Sequence, residues 1–378
     1  PLSQEVLELI EQAARLINQA ERPLIIGGHG ILTSGATKEL KDLAETTGIP
    51  VITTLLGLGG FPGSHPQNLG MLGMHGMYWA NIAVDQADLL VGLGMRFDDR
   101  VTGRVATFAP HARIIHLDIE ASQLGRNVPI EVPLVGDAKT ILQKLVPQVK
   151  RVERPDWLGH IDKLRQDHPS LAIPPSDTLL PQQVLTSLNQ LLQEDPETVV
   201  VTGVGQHQMW AAQFLVFDHS DSFVSSGGQG AMGFELPAAL GVQAGKPNAP
   251  VWSIAGDGGF QMTLQELATL THEKLPVKIA LFNNGSLGMV RQWQEMYFQN
   301  HIMATPLPGP NYVDLAHAYG LGAVRVTEIE DVLPALRQAQ AHDGPFLIEF
   351  VVDSTAKVFP MVPPGAGLGE TLEDPLLQ

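Results

Sequence analysis

The chain has 378 residues, 44% hydrophobic and 17% charged, enough for two or three globular domains and inconsistent with a disordered polymer. Its formal net charge of −17 argues against nucleic acid and anionic membranes as partners, and no apolar run approaches the ~18–20 residues that span a bilayer. There is no cysteine, so disulfides, thiolate metal sites and a cysteine nucleophile are excluded, and a reducing compartment fits.

Val6, Leu9, Ile10, Ala13, Leu16 and Ile17 recur at helical spacing, predicting a first helix with Ser3 as N-cap. Strands and helices then alternate: a strand over 23–28, a helix over 38–47 closed by Gly48, a strand over 50–55, a helix over 76–86, strands over 89–93 and 113–119, and a helix over 138–149. This pattern predicts a doubly wound parallel sheet over 1–150. Residues 151–176, charged and proline-containing with a possible helix at 162–168, read as a linker. A second α/β alternation fills 177–378, with strands at 198–202, 223–225, 249–255, 277–282, 323–326 and 346–352, and ends in a tail. The fold class is α/β, with two doubly wound parallel-sheet domains. No signal peptide is visible, and the chain begins at Pro1 without Met.

Gly256-Asp257-Gly258 and Asn283-Asn284 each follow an apolar strand, where open α/β sheets place their ligands. The Asp257 carboxylate, the Asn284 amide oxygen and the Ser286 carbonyl suit Mg²⁺, which takes its remaining ligands from a diphosphate and water. Together the two motifs point to a thiamine diphosphate site. Gly203-Val204-Gly205-Gln206-His207 lies at another strand-to-helix turn, where free backbone amides and the helix dipole favour phosphate. A second glycine cluster, 225–232, includes Gly230 and Met232; Met232 is either a core methionine or a prop under a bent cofactor. Leu287, Gly288 and Met289 begin a helix that continues to Trp293 and borders the site; Trp293 is equally a half-buried surface tryptophan. In the first domain, Gly94-Met-Arg96-Phe-Asp98-Asp99-Arg100-Val101 follows a buried strand directly. It is either a loop of self-paired charges or a nucleotide cofactor site, with Arg for phosphate or a ring and Asp for ribose. Asp118 suits a ribose or adenine contact, and the glycines of 69–78 suit a flat isoalloxazine. No standard dinucleotide fingerprint, HExxH or Walker A sequence is present.

These motifs resemble those of the acetohydroxyacid synthase (acetolactate synthase) catalytic large subunits: GMLGMHG at 70–76, RFDDRVTG at 96–103, GQHQMWAAQ at 205–213, GDGGFQM at 256–262, NNGSLGMVRQWQ at 283–294 and VFPMVPPGAG at 358–367. The resemblance implies thiamine diphosphate, Mg²⁺ and a largely structural FAD. It implies Asp257, Asn284 and Ser286 at the metal. Val204, Gly205, Gln206, His207, Gly230, Met232, Gly256, Gly258, Gly259, Leu287, Gly288 and Met289 would surround the thiamine cofactor. Gly28, Gly30, Thr54, Leu55, His75, Gly94, Arg96, Asp98, Arg100, Val101, Asp118, Ile119, Asp137 and Ala138 would hold the flavin. Arg100, Met289 and Trp293 would face the substrates, Arg100 pairing a keto-acid carboxylate and Trp293 favouring 2-ketobutyrate.

The implied activity is carboligation of pyruvate with a second 2-keto acid, giving 2-acetolactate or 2-aceto-2-hydroxybutyrate in branched-chain amino-acid biosynthesis. The implied assembly is a homo-oligomer, dimer or tetramer, with a small regulatory subunit, in bacterial cytoplasm or plastid stroma. The match covers the later two of the family's three domains. The family's N-terminal domain supplies a catalytic glutamate, so this chain alone is expected to be inactive. Gln229, Ala231, Glu235 and His29 depart from the family's usual Leu, Thr, Gly and Gly. The alternatives are another thiamine-diphosphate carboligase or decarboxylase, or a catalytically silent module that binds FAD and thiamine diphosphate.

Overall fold

Uninterrupted apolar runs flanked by amphipathic helices give parallel strands buried on both faces. The computed structural model, which describes residues 2–377, divides into two units built this way: unit 1 is Pro1–Ala172, Phe217–Ser220 and Phe359–Gln378, and unit 2 is Ile173–Val216 and Asp221–Val358.

Unit 1 holds strands β1 (Pro23–Gly27), β2 (Val51–Thr53), β3 (Asn68–Met71), β4 (Leu89–Leu93), β5 (Arg113–Asp118) and β6 (Val132–Val135), all parallel, in the order β3-β2-β1-β4-β5-β6. Every residue of β1, β2 and β4 is buried. The helix Gln4–Gln19 starts where the Ser3 hydroxyl accepts the Val6 amide, and it turns Ile10, Ala13 and Ile17 into the core. Full burial of each such isoleucine contributes about 1.5–3 kcal/mol before the cost of ordering the chain. The helix Thr37–Thr47 ends at Gly48, whose φ of 72° a residue with a Cβ adopts only under strain.

The linker expected over 151–176 requires correction. Pro155–Asp167 is a 13-residue helix, and it buries Trp157 and Ile161, one turn apart, in the core of unit 1. The Trp157 indole also donates to the Pro23 carbonyl at 3.2 Å. Asp156, Asp162, Lys163 and Asp167 lie on its exposed face, whereas Arg165 is half-buried over the Trp79 ring, 5.7 Å from its centroid. The tail Phe359–Gln378, read as part of the C-terminal domain, packs Val362, Ala366 and Leu368 into the same core.

Unit 2 holds β7 (Val199–Thr202), β8 (Phe223–Ser225), β9 (Val251–Gly256), β10 (Lys278–Asn283), β11 (Gly322–Val326) and β12 (Phe346–Val351), parallel, in the order β11-β12-β10-β9-β7-β8. The chain leaves β7 for β8 on one side and returns to β9 on the other, so the switch point lies between β7 and β9. In unit 1 the equivalent point lies between β1 and β4. Ligands of open α/β sheets bind beyond the carboxyl ends of the strands at such points.

Candidate functional site

The turns after β7, β9 and β10 converge on one cleft in unit 2. Val204, Gly205, Gln206 and His207 line it from the first turn, Gly256 to Gly259 from the second, and Asn284 and Ser286 to Val290 from the third; Met232 closes one side. The glycines here let side chains of the facing turns lie close against the backbone. A methyl on Gly288 would lie 1.9 Å from the Gln206 amide oxygen, and one on Gly258 would lie 2.8 Å from Leu287.

Asp257 is 3% exposed. One carboxylate oxygen accepts the Gly258 amide at 2.9 Å, and the other, Oδ2, has no partner. Burial raises this carboxyl to about 6, and the nearby amides of Gly258, Gly285 and Ser286 offset part of the shift. A buried acid with an orphaned oxygen is a site that wants a cation. Among the described residues no three His, Cys, Asp or Glu side chains converge, so a cation here would draw its other ligands from neutral oxygens. The neighbouring loop presents them: Asn284 Oδ1 accepts the Ser286 amide at 3.1 Å, and the Ser286 hydroxyl donates to the Thr305 carbonyl at 3.1 Å. Gln206 accepts from Asn284 at 3.2 Å and donates to Gln292 and to the Ala356 carbonyl, each at 3.0 Å, so its amide ties the first turn to the third.

His207 is buried against the turns at Gly205 and Gly256, and its Nε2 has no partner. Burial lowers the imidazole to about 4, which makes it a neutral group able to donate one N–H at physiological pH. Met289 lines the cleft, whereas Trp293 does not: it is half-buried and meets Tyr297 edge-to-face at 5.6 Å. Gly230 is exposed in the turn beyond β8, with φ 68°, and is also absent from the cleft wall.

Glu235 is fully buried. Its carboxylate is wedged between two of the turns, so that a methyl on Gly203 would fall 2.0 Å from Oε2 and one on Gly259 2.6 Å from Oε1. Neither oxygen makes a well-formed hydrogen bond, and burial raises the carboxyl to about 7. The amides of Gly233 and of Glu235 itself favour the anion, but by less and at poor geometry.

In unit 1 the anticipated residues lie in the turns that follow the strands, and several of them are paired within the protein. The Gly28 amide donates to the Leu93 carbonyl at 2.9 Å and the Gly30 amide to the Gly94 carbonyl at 3.0 Å. A methyl on Gly28 would lie 2.3 Å from that Gly94 oxygen. Met74 donates its amide to the Arg100 carbonyl at 2.8 Å, which brings the motifs at 70–76 and 96–103 together. Arg96 pairs with Asp98 at 2.8 Å, and Asp98 also caps the short helix Asp99–Thr102. Asp118 accepts the Glu120 amide, and Asp137 caps the helix that begins at Ala138. His75 is buried and held neutral, pushed down to about 4 by burial. Thr54, Leu55 and Val101 are half-buried, while Ile119 is 75% exposed.

Residues 10–145 match the family described as "Thiamine pyrophosphate enzyme, central domain", and residues 203–350 match "Thiamine pyrophosphate enzyme, C-terminal TPP binding domain". The chain is 46% identical over 374 residues to an acetolactate synthase of Mycobacterium leprae, which covers 96% of this chain and 60% of that protein. This chain belongs to the acetolactate synthase family of thiamine pyrophosphate enzymes. It is also 45% identical to the acetolactate synthase large subunit of Corynebacterium glutamicum, covering 97% of this chain and 60% of that protein. The acetolactate synthase isozyme 2 large subunit of Escherichia coli is 40% identical, covering 96% and 66%. The chain thus spans about 60% of the length of these curated relatives. The unit 2 cleft lies within the thiamine-pyrophosphate-binding domain of this family. No described helix is long and apolar enough to cross a membrane.

Proposed function

We propose that this chain carries the thiamine-diphosphate half of an acetolactate synthase, whose reaction joins pyruvate to a second 2-keto acid, pyruvate or 2-ketobutyrate. The observation that carries the reading is the orphaned oxygen of buried Asp257 beside the oxygens of Asn284 and Ser286. The donor set, one acid and neutral oxygens, fits Mg²⁺ that takes further ligands from a diphosphate. Asp257, Asn284 and the Ser286 carbonyl would hold the metal. The turns at Val204–His207 and Gly256–Gly259 would receive the diphosphate on backbone amides, with the neutral His207 adding one donor. Met232, Leu287 and Met289 present the apolar wall that excludes water. When bound, thiamine diphosphate supplies the carbanion-stabilising electron sink that the protein lacks. Arg100 offers an exposed guanidinium suited to a keto-acid carboxylate, and Trp293, one turn beyond Met289, is the candidate for preferring the larger acceptor. A working assembly of more than one chain, with a small regulatory subunit, belongs to the same proposal.

We further propose that unit 1 binds FAD at its switch point, along Gly28–Gly30, Gly94–Val101 and Asp118. The location supports this reading. The chemistry of these side chains does not demand it, because Arg96 pairs with Asp98 and Asp118 bonds the Glu120 amide.

The test is product analysis. The chain, and in parallel the chain joined to a segment occupying the relatives' remaining length, is incubated with pyruvate, 2-ketobutyrate, thiamine diphosphate and Mg²⁺. We expect acetolactate and acetohydroxybutyrate from the longer protein and little or none from the chain alone. Release of CO₂ with aldehyde as the only product would instead favour a decarboxylase.

A further inference from the structure

The loop that carries Asn284 and Ser286 is held from behind by a buried acid that does not reach the cleft. Glu349 sits in the middle of β12 and is 2% exposed. One oxygen accepts the Asn283 side-chain amide at 2.8 Å, and the other accepts Arg325 Nε at 2.7 Å. Asn283 Oδ1 in turn accepts the Gly285 amide at 3.1 Å, where the chain takes a φ of +61°. On the far side, Arg325 Nη2 donates at 2.8 Å to Asn311, the residue that caps the helix Tyr312–Ala318. The relay therefore crosses three adjacent strands, β11, β12 and β10, and ends in the turn between β10 and the cleft. Asn284, Ser286, Leu287 and Gly288 line that cleft; Asn283, Glu349 and Arg325 do not.

A carboxylate in a buried strand position is costly unless every oxygen is engaged. A valine would fill the same place in the sheet without that cost. The charge is therefore in place for what it holds. We propose that Glu349 is the positioning residue of the metal loop: by fixing the Asn283 amide, and through it the Gly285 amide, it sets where the oxygens of Asn284 and Ser286 stand. This inference rests on the reading of the cleft as a magnesium–thiamine-diphosphate centre.

Glu349→Gln keeps shape and volume but supplies only one acceptor for two donors. To meet its new NH₂, Asn283 must flip and surrender the Gly285 amide. Asn283→Asp alone sets two carboxylates face to face. Together the two substitutions restore the pattern, because the introduced glutamine can donate to the introduced aspartate and still accept from Arg325. The readout is Mn²⁺ affinity in the presence of thiamine diphosphate, followed by the Mn²⁺ EPR signal, with the melting temperature of the metal-free protein measured alongside. Outer-shell partners of metal ligands are typically worth ~10–100-fold in affinity, so we expect each single variant to bind Mn²⁺ about tenfold more weakly. We expect the double variant to return to within about threefold of wild type, as coupled neighbours do. Unchanged Mn²⁺ affinity in Glu349→Gln would overturn the assignment. So would a loss that the double variant fails to recover, since that pattern marks damage to the sheet rather than a misplaced loop. A wild-type chain that binds no Mn²⁺ with the cofactor would instead bring down the reading of the cleft, and this inference with it.

Discussion

The two units present the same architecture at their switch points and opposite chemistry. In unit 1 the turns close on themselves: Gly28 and Gly30 meet Gly94 through backbone, Arg96 pairs with Asp98, and Asp118 and Asp137 bond neighbouring amides. In unit 2 the turns meet through Gln206 and Asn284 but leave Asp257 Oδ2 and His207 Nε2 without partners inside the protein. Glycine and acidic residues at strand ends thus carry two different meanings. Where their hydrogen bonds are complete, they are turn chemistry; where a buried polar atom is left over, they mark a place for a charged ligand.

The comparison breaks first at Asp257. Replacing it with Ala removes the one carboxylate among the proposed metal ligands, and we expect metal-dependent thiamine diphosphate binding to weaken by more than the ~10–100-fold typical of an outer-shell change. Fluorescence titration with and without Mg²⁺ would show it. A variant that bound like wild type would erase the distinction between the two switch points.

Gly28→Ala is the matching test in unit 1. The added methyl would lie 2.3 Å from the Gly94 carbonyl oxygen, so the two turns must separate. We expect a loss of about 1–3 kcal/mol or more, read by chemical denaturation, whether or not FAD is supplied. Stability lost only in the presence of FAD would mean that the glycine serves the ligand and not the fold.

Glu235 sharpens the comparison, because it is a fully buried acid, unpaired at both oxygens, that faces two of the open turns. Its carboxyl rises from an ordinary 4.5 to about 7 on folding. The folded protein therefore holds this proton more tightly than the unfolded chain. The resulting contribution to stability is complete below pH 4.5 and is lost as pH climbs through 7. The full swing is up to about 3 kcal/mol. Glu235→Gln has nothing to ionise, so its stability should fall less between about pH 5 and 8, and it should melt higher than wild type at about pH 8. Parallel pH profiles for the two proteins would show that the acid is relieved by a contact the folded chain makes in solution.

The smallest effect is expected at Asp137. Its carboxylate caps a helix, with the Thr140 amide at 2.8 Å, and Asp137→Ala should cost about 1 kcal/mol. A drop in FAD affinity on top of that loss would support the flavin reading for this residue; an unchanged affinity would leave it a cap alone.

Most of this contrast could not be seen in the sequence. Strands such as 89–93 and 277–282 were legible because a long apolar run admits few other readings. The two edge strands of unit 1 were missed. Asn68-Leu-Gly-Met71 is barely apolar, and Val132-Pro-Leu-Val135 carries a proline that only an edge tolerates. Of the helix at 155–167 only the later part was suspected, at 162–168; its charges hid the rest, although Trp157 and Ile161, four residues apart, were an available signal. Within the site, Asp257, Asn284 and the glycine turns were legible because their chemistry is local to short motifs. Glu235 could be noticed only as an odd residue, since its burial depends on turns more than twenty residues away on either side. Glu349 gave no signal at all: an acid in the middle of an apolar strand finds its partners on two other strands, and only the register brings them together.

The most direct measurement is calorimetric titration of the chain with thiamine diphosphate, run with Mg²⁺, with EDTA, and with Mg²⁺ on Asp257→Ala. We expect saturable binding heat only in the first case. Equal heat in all three, or none in any, would contradict a cleft completed by a metal held on Asp257.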